Sequence, residues 1–462
     1  MKKILSVVLI LSAVFALFIS CGKKTEPVAA ATAAPAQAVV ATAAEKAPAV
    51  VATPAAPAVS YEVTEPITIE WWHALEQQYW PLVDEIVGGF NNSNPLIKVE
   101  AKYIGNYTTL NETLVAAHAA GTGLPALSAA NTPYVAEYGK GGLTENLSPY
   151  IKATGYDIDD FGAGMIAATS YEGKQVTVPF LISTQVMYYN KTMAEKEGIV
   201  IPTRIDDMEA FLAKATKKAA DGTTTRWATI VPGWDQWYFE TFFLNSGVKI
   251  VNDDRISTDL AGPAATALTK KFQDWVKKGY TYWASGTSAS SNMRQNFIDQ
   301  KAFSVIHTSS LYNTYVNLVK DFEVGMAWLP AGDTKKSEIG GSVLLIPAKN
   351  DQKTKNAAWA FLQYLIGKDV NMKWADGTGY IPTRNSVITT SEGQEFLNRK
   401  PAFKAIFDNL DEINPRIQHA GWNQLATIWR SYLDQIMIEG VEVDAQLEMM
   451  AEEINEVLED SE

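Results

Sequence analysis

One stretch limits the fold more than any other. It is Val178–Lys191, V-P-F-L-I-S-T-Q-V-M-Y-Y-N-K, well inside a chain of 462 residues. It follows a glycine-containing turn at Tyr171–Gly173, and Pro179 bars a helix at its start. The remainder is apolar, aromatic and β-prone, the pattern of a buried strand. Ser183, Thr184 and Gln185 break that run. Polar side chains in a buried strand require partners. A strand that passes from one lobe to another, beside a cleft, meets both demands.

The segments around it spell an alternating α/β order. Ile67, Ile69 and Trp71 alternate with Thr68 and Glu70, so a strand enters the core and ends at Trp71-Trp72-His73. Leu82, Val83, Ile86, Val87 and Phe90 recur at helical spacing, and Asn91–Pro95 stops that helix. Ile97, Val99, Ala101 and Tyr103 form the next strand. A β-α-β unit demands a parallel pair with a right-handed crossover. A helix is predicted from about Thr109 to Ala120, and a third strand over Leu124–Ala130, ending at Asn131. Later strands are predicted at Trp227–Val231, Ala302–Ile306 and within Glu338–Ile346, with helices over Asn356–Ile366 and at the C-terminus around Leu447–Leu458. No internal repeat is found.

Composition narrows the function. Hydrophobic residues make up 47% and charged residues 20%, the balance of a globular body long enough for two domains. The formal charge is −13, and five lysines against two glutamates in the first 60 residues leave about −16 on the rest. An acidic body without a basic stripe argues against nucleic acid. The single cysteine, Cys21, excludes an intrachain disulfide. Four histidines, at 73, 118, 307 and 419, are too scattered for a zinc cluster, and no metal or cofactor is expected. No G-x-S-x-G, H-E-x-x-H or phosphate-loop motif occurs, and nothing in the spacing selects a catalytic carboxylate pair, so no enzyme is expected. A glycan-acting enzyme or carbohydrate-binding adhesin is the weaker alternative.

The N-terminus reads as an export signal over residues 1–20: Lys2 and Lys3, an apolar run Ile4–Ile19, then Ser20. F-I-S-C-G resembles the lipobox of bacterial lipoproteins, which implies cleavage before Cys21, palmitate-type acylation of its thiol and a membrane anchor facing the periplasm or cell exterior. Residues 21–60 are Ala/Pro/Val-rich and read as a disordered linker.

Some of the 13 Trp and 19 Tyr must be core, and so many rings also favour a surface on which flat, amphipathic ligands stack. Hydroxyls on such a ligand need side chains that both donate and accept. Strand ends and loops supply both kinds: Trp72, Tyr107, Trp234, Trp237, Tyr380 and Trp422, with His73, Asn131, Ser183, Thr184, Asp235 and Ser310. In open α/β sheets ligands sit beyond the carboxyl ends of strands, where several of these fall. Trp275 and Trp359 lie on helix faces and are expected in the core.

In order along the chain, W-W-H-A-L, F-N-N-S-N-P, Y-I-G-N-Y-T-T-L, P-F-L-I-S-T-Q-V-M-Y-Y-N-K, D-Q-K-A-F-S, I-G-G-S, A-A-W-A-F-L-Q-Y-L and G-T-G-Y-I-P-T-R-N resemble the family 1 extracellular solute-binding proteins of ABC importers. That group includes the maltose- and glycerol-3-phosphate-binding proteins. The resemblance implies a two-lobe periplasmic-binding-protein-like (type II) α/β fold with three inter-lobe crossings, near Ser183, Ile306–Thr308 and Gly341–Leu344. It implies an N-lobe of 61–182 plus 307–341 and a C-lobe of 183–306 plus 342–462. It implies ligand contacts at Tyr107, Ser183, Thr308–Ser310, Gly340–Gly341 and Tyr380. The partners implied are a small-molecule sugar and the membrane permease with its ATPase, served by a monomer. Two positions depart from the glycerol-3-phosphate branch: Asn131-Thr132 stands where that branch has a carboxylate, and His419-Ala420 where it has a phosphate-binding Arg before Gly421. A neutral or weakly charged sugar is therefore expected, with a polyol phosphate as the alternative.

Overall fold

The computed structural model describes residues 60–462. The expected signal segment, Cys21 and the linker up to residue 59 lie outside the described residues.

The first β-α-β unit forms as the periodicity requires. Strand β1 (Ile67–His73) is followed by helix α1 (Trp80–Ser93), which opens on Pro81 and buries Val83, Ile86, Val87 and Phe90. Strand β2 (Ile97–Tyr103) returns parallel to β1. Helix α2 (Tyr107–Ala120) starts two residues earlier than predicted because the Asn106 side chain caps it, accepting from the Thr109 amide at 2.9 Å. Strand β3 (Leu127–Asn131) lies on the other side of β1, also parallel.

The central stretch is one strand, β4 (Val178–Asn190), with every residue but Tyr189 buried. It is shared between two sheets. Downstream lie β5 (Thr224–Pro232), helix α3 (Trp237–Asn245), β6 (Thr281–Ala284), β7 (Ala302–Thr308), β8 (Val324–Trp328) and β9 (Ser337–Leu345). The first part of β4, from Val178 to Thr184, pairs antiparallel with β9. Its second part pairs antiparallel with β7 from Gln185 and with β8 from Val186. Strand β9 makes the same passage in reverse: Ser342–Leu345 pair with β3 in the first sheet. Strands β7, β5 and β6 extend the second sheet in parallel.

The apolar clusters follow this division. One core joins β1, β2, β3, the start of β4, the end of β9 and helix α4 (Gln352–Leu365). Trp71, Phe180 and Phe361 meet edge to face at its centre. Two further clusters fill the second lobe. One includes helices α5 (Trp422–Asp434) and α6 (Val443–Ser461), the latter burying the predicted Leu447, Ala451, Ile454, Val457 and Leu458. The other holds Tyr312, Tyr315, β8 and Ile381.

The molecule is thus a two-lobe α/β protein with three passages between lobes, but the expected boundaries need correction. Residues 307–341 belong with the second lobe, because β8 completes the sheet on the far half of β4. Residues 342–374 belong with the first lobe, because the end of β9 pairs with β3 and α4 covers that sheet. The chain crosses within β4 at 182–185, within β9 at 339–342, and a third time between Trp374 and Ile381. There the Ile381 amide bonds the Ile182 carbonyl at 2.8 Å. The passage expected near Ile306–Thr308 is instead the end of β7, which stays in the second sheet.

Candidate functional site

The polar trio of β4 sits where the strands cross. Thr184 and Gln185 are fully buried, and both are satisfied. The Thr184 amide donates to Ser309 Oγ at 3.1 Å, and its hydroxyl pairs with Ser337 Oγ at 2.6 Å. Ser337 Oγ also donates to Gln185 Oε1 at 2.7 Å, while Gln185 Nε2 donates to the Trp237 carbonyl at 2.7 Å. This network ties β4, β9, α3 and the turn after β7 into one joint. Ser183 lies opposite Gly340. A Cβ on Gly340 would run into the Trp237 indole, and one on Gly341, which sits at φ 95°, would run into the Leu181 carbonyl. Both glycines are therefore demanded by close approach.

Beside this joint, side chains from the two lobes converge. Tyr107, at the first turn of α2, lies beside the Ser342 hydroxyl, with Tyr79 and Glu76 near it. Burial pushes its phenol up to about 12. Tyr380, in the third passage between the lobes, packs against the first core near Tyr107, Tyr79 and Glu76 and lies beside Ser310, and burial raises its phenol well above the usual range. The approach depends on Gly379 at φ 118°, whose Cβ would stand 2.7 Å from the Ser310 carbonyl. Ser310 Oγ and Thr308 Oγ1 are 2.9 Å apart. Asn131 ends β3 half-buried, opposite Ser342. Tyr107 and Tyr380 both keep accessible surface.

Aromatic rings form a wall on the second lobe. Trp234, partly exposed, packs edge to face on Tyr238 at 5.6 Å and on His307 at 5.9 Å. Its carbonyl accepts from Arg430 Nη1 at 3.0 Å. His307 is buried and held neutral, pushed down to about 3 by desolvation, with Nδ1 2.9 Å from the Tyr315 hydroxyl. Trp237 lies deeper, against Gly340, and its indole N–H has no partner among the described residues.

Ser183, Tyr107, Ser310, Gly341 and Tyr380 therefore gather at or beside the joint, with Trp234 and Trp237 on the adjoining wall and Asn131 at the neighbouring strand end. Three expected site residues lie elsewhere. Trp72 turns its indole N–H back along β1 to Glu70 Oε2 at 3.1 Å and packs in the first core. His73 is buried, accepts the Leu75 amide on Nδ1 at 3.2 Å, and is pushed down to about 4 by desolvation. Trp422 has no exposed surface: it starts α5 on the face that buries Leu425, Ala426 and Trp429, with the Arg416 guanidinium 5.7 Å over its ring. Asp235, half-buried in the turn before α3, accepts the Trp237 amide at 3.1 Å. Reading the chain as a string missed Glu76, Tyr79 and Ser342. Their signal was position alone, in the loop after β1 and directly after the Gly340-Gly341 pair.

Residues 85–405 match the family described as bacterial extracellular solute-binding protein. The sn-glycerol-3-phosphate-binding periplasmic protein UgpB of Yersinia pestis bv. Antiqua (strain Antiqua) is 28% identical over 369 residues, covering 74% of this chain and 80% of its own length. Among solved structures, the sugar-binding protein MalE from Xanthomonas citri superposes with a TM-score of 0.75 at 20% identity, over 85% of this chain and 98% of that one. UgpB from Mycobacterium tuberculosis in complex with glycerophosphocholine superposes with a TM-score of 0.74 at 19% identity, over 86% and 99%. With a family match across more than half of its length and the two-lobe fold that its crossings require, this chain belongs to the bacterial extracellular solute-binding proteins.

Proposed function

We propose that this chain is the substrate-binding component of an ABC importer, and that it captures a neutral sugar between its lobes and presents it to a membrane permease. The observation that carries this reading is the meeting of Tyr107 and Ser342 from one lobe with Ser310 from the other and with Tyr380 from the passage between them. Hydroxyls that donate and accept, set on aromatic rings, match a polyhydroxylated ligand with apolar faces. Closure is favoured by the contacts that only the closed form makes.

A phosphate-bearing ligand is the second reading, favoured by the likeness to glycerol-3-phosphate-binding relatives. The basic side chains before and within α5 are engaged elsewhere, which speaks against it. Arg416 lies 3.3 Å from the buried Glu240 carboxylate, and Arg430 donates to a carbonyl. His419 uses Nδ1 to accept the Gly421 amide and turns Nε2 toward Glu462 at 3.2 Å. The site so built binds and releases without turnover. Export through residues 1–20, acylation of Cys21 and attachment to the cell membrane complete the proposal.

Thermal-shift measurement tests it with a panel of mono- and oligosaccharides, sn-glycerol-3-phosphate and glycerophosphocholine. A ligand present at 100 times its Kd raises stability by about 2.7 kcal/mol. A shift with a neutral sugar supports the first reading. A shift confined to the phosphate esters selects the second.

A further inference from the structure

One residue beyond Ser337, β9 carries a second buried polar group that the binding site does not use. Glu338 and, on α3, Glu240 are both fully buried and interact through their side chains. None of their four carboxylate oxygens has a hydrogen-bond donor among the described residues. Arg416 approaches Glu240 Oε1 at 3.3 Å, off the line of a hydrogen bond. It is drawn aside by Gln236, whose amide, oriented to suit its neighbours, accepts from Arg416 Nη2 at 2.8 Å and donates to Asp235 Oδ1 at 3.1 Å. The charged groups facing the pair are thus Arg416, from the segment before α5, and Asp235, from the turn before α3. On its other side β9 pairs with the neutral Ile413–Asn414. Two ionised carboxylates against one guanidinium would leave a net negative charge in a dry site, which is costly. One proton removes that charge and supplies the missing donor.

We propose that Glu240 and Glu338 share a single proton, and that this proton holds α3 against β9 where β9 crosses between the lobes. Burial and mutual repulsion raise both carboxyls above their ordinary range, in keeping with this. The coupling to the joint is short. Trp237, one turn before Glu240, packs on Gly340, two residues after Glu338, and its carbonyl receives Gln185. Releasing the proton sets like charges against each other across that contact and loosens it. The inference does not depend on which solute binds.

Infrared difference spectroscopy of the whole chain at pH 7 reads the C=O stretch of a protonated carboxyl. The wild type is expected to show a buried band that Glu338→Gln lacks. Urea unfolding from pH 5 to 9 gives an independent measure. The folded pair keeps a proton that unfolded carboxyls have lost, so raising the pH favours unfolding. The wild-type unfolding constant should rise relative to that of Glu338→Gln by about tenfold per pH unit until the proton leaves. A wild type without the band, or with the pH slope of Glu338→Gln, overturns the proposal. Should Glu338→Gln fail to fold, Glu240→Gln removes the same proton from the other partner, and the wild-type band alone remains decisive.

Discussion

Two dry polar sites adjoin one another on β9, and they are built on opposite terms. Around Ser337, every buried donor and acceptor of Thr184 and Gln185 finds a neutral partner at 2.6 to 3.2 Å. Around Glu338, two carboxylates face one guanidinium and lack donors among the described residues. A satisfied neutral network rigidifies, whereas a charged one short of donors is stable only in one protonation state. The contrast teaches that the passage between lobes has a fixed part and a part whose stability follows pH.

The largest expected effect breaks both sites at once. Gly341→Val forces a β-branched residue to φ 95° and drives its Cβ into the Leu181 carbonyl. Strain and overpacking together should cost roughly 3 kcal/mol or more, read as a fall in the urea midpoint. Next comes a pair of substitutions that should differ in sign. Gln185→Leu strips the Trp237 carbonyl and Ser337 of partners and should destabilise by about 2 kcal/mol. Glu338→Met leaves Glu240 paired with Arg416, a neutral couple, and should be neutral or stabilising at pH 8, by up to about 2 kcal/mol. Equal destabilisation by the two would erase the distinction between the neutral network and the carboxyl pair.

A third measurement separates the carboxyl pair from histidine. His73 is held near 4 in the fold and titrates near 6.5 when unfolded. Between those values the unfolded chain binds the extra proton, so stability rises with pH, opposite to the effect of Glu240 and Glu338. His73→Asn should remove a slope of about 1.4 kcal/mol per pH unit below pH 6.5 and leave the alkaline limb unchanged. A variant that flattens the alkaline limb instead would mean that the joint's pH response had been assigned to the wrong group.

Much of this was legible in the chain and some was not, for identifiable reasons. The trio Ser183, Thr184 and Gln185 announced a crossing because polar groups in an apolar strand need partners, and the crossing is there. Their partners Ser337, Ser309 and the Trp237 carbonyl lie 52 to 153 positions away, and no local pattern points to them. The lobe boundaries went astray because β8 and β9 form consecutive antiparallel pairings on different halves of β4, and a strand's sequence does not say which half it joins. Trp422 follows a glycine, as loop aromatics do, yet its helix periodicity with Leu425, Ala426 and Trp429 is a core signal that outweighs the glycine. Tyr107 and Tyr380 each follow a glycine-bearing turn at a strand or loop end, and both rings keep accessible surface there.

The smallest expected effect asks whether the joint merely holds the lobes or also receives the ligand. Tyr107→Phe removes one hydroxyl that lies beside Ser342 and leaves the ring in place. Tyr107 is partly accessible, so its hydroxyl has water as an alternative partner and folding should change by less than about 0.5 kcal/mol. A bound sugar excludes that water. Its own hydroxyl would then lose a partner, at a cost of about 1 to 1.5 kcal/mol, or roughly tenfold in Kd by titration calorimetry. Binding that weakens while the urea midpoint holds assigns Tyr107 to the ligand. A midpoint that falls with affinity unchanged assigns it to the joint, alongside Thr184 and Gln185, and moves the ligand toward the Trp234 wall.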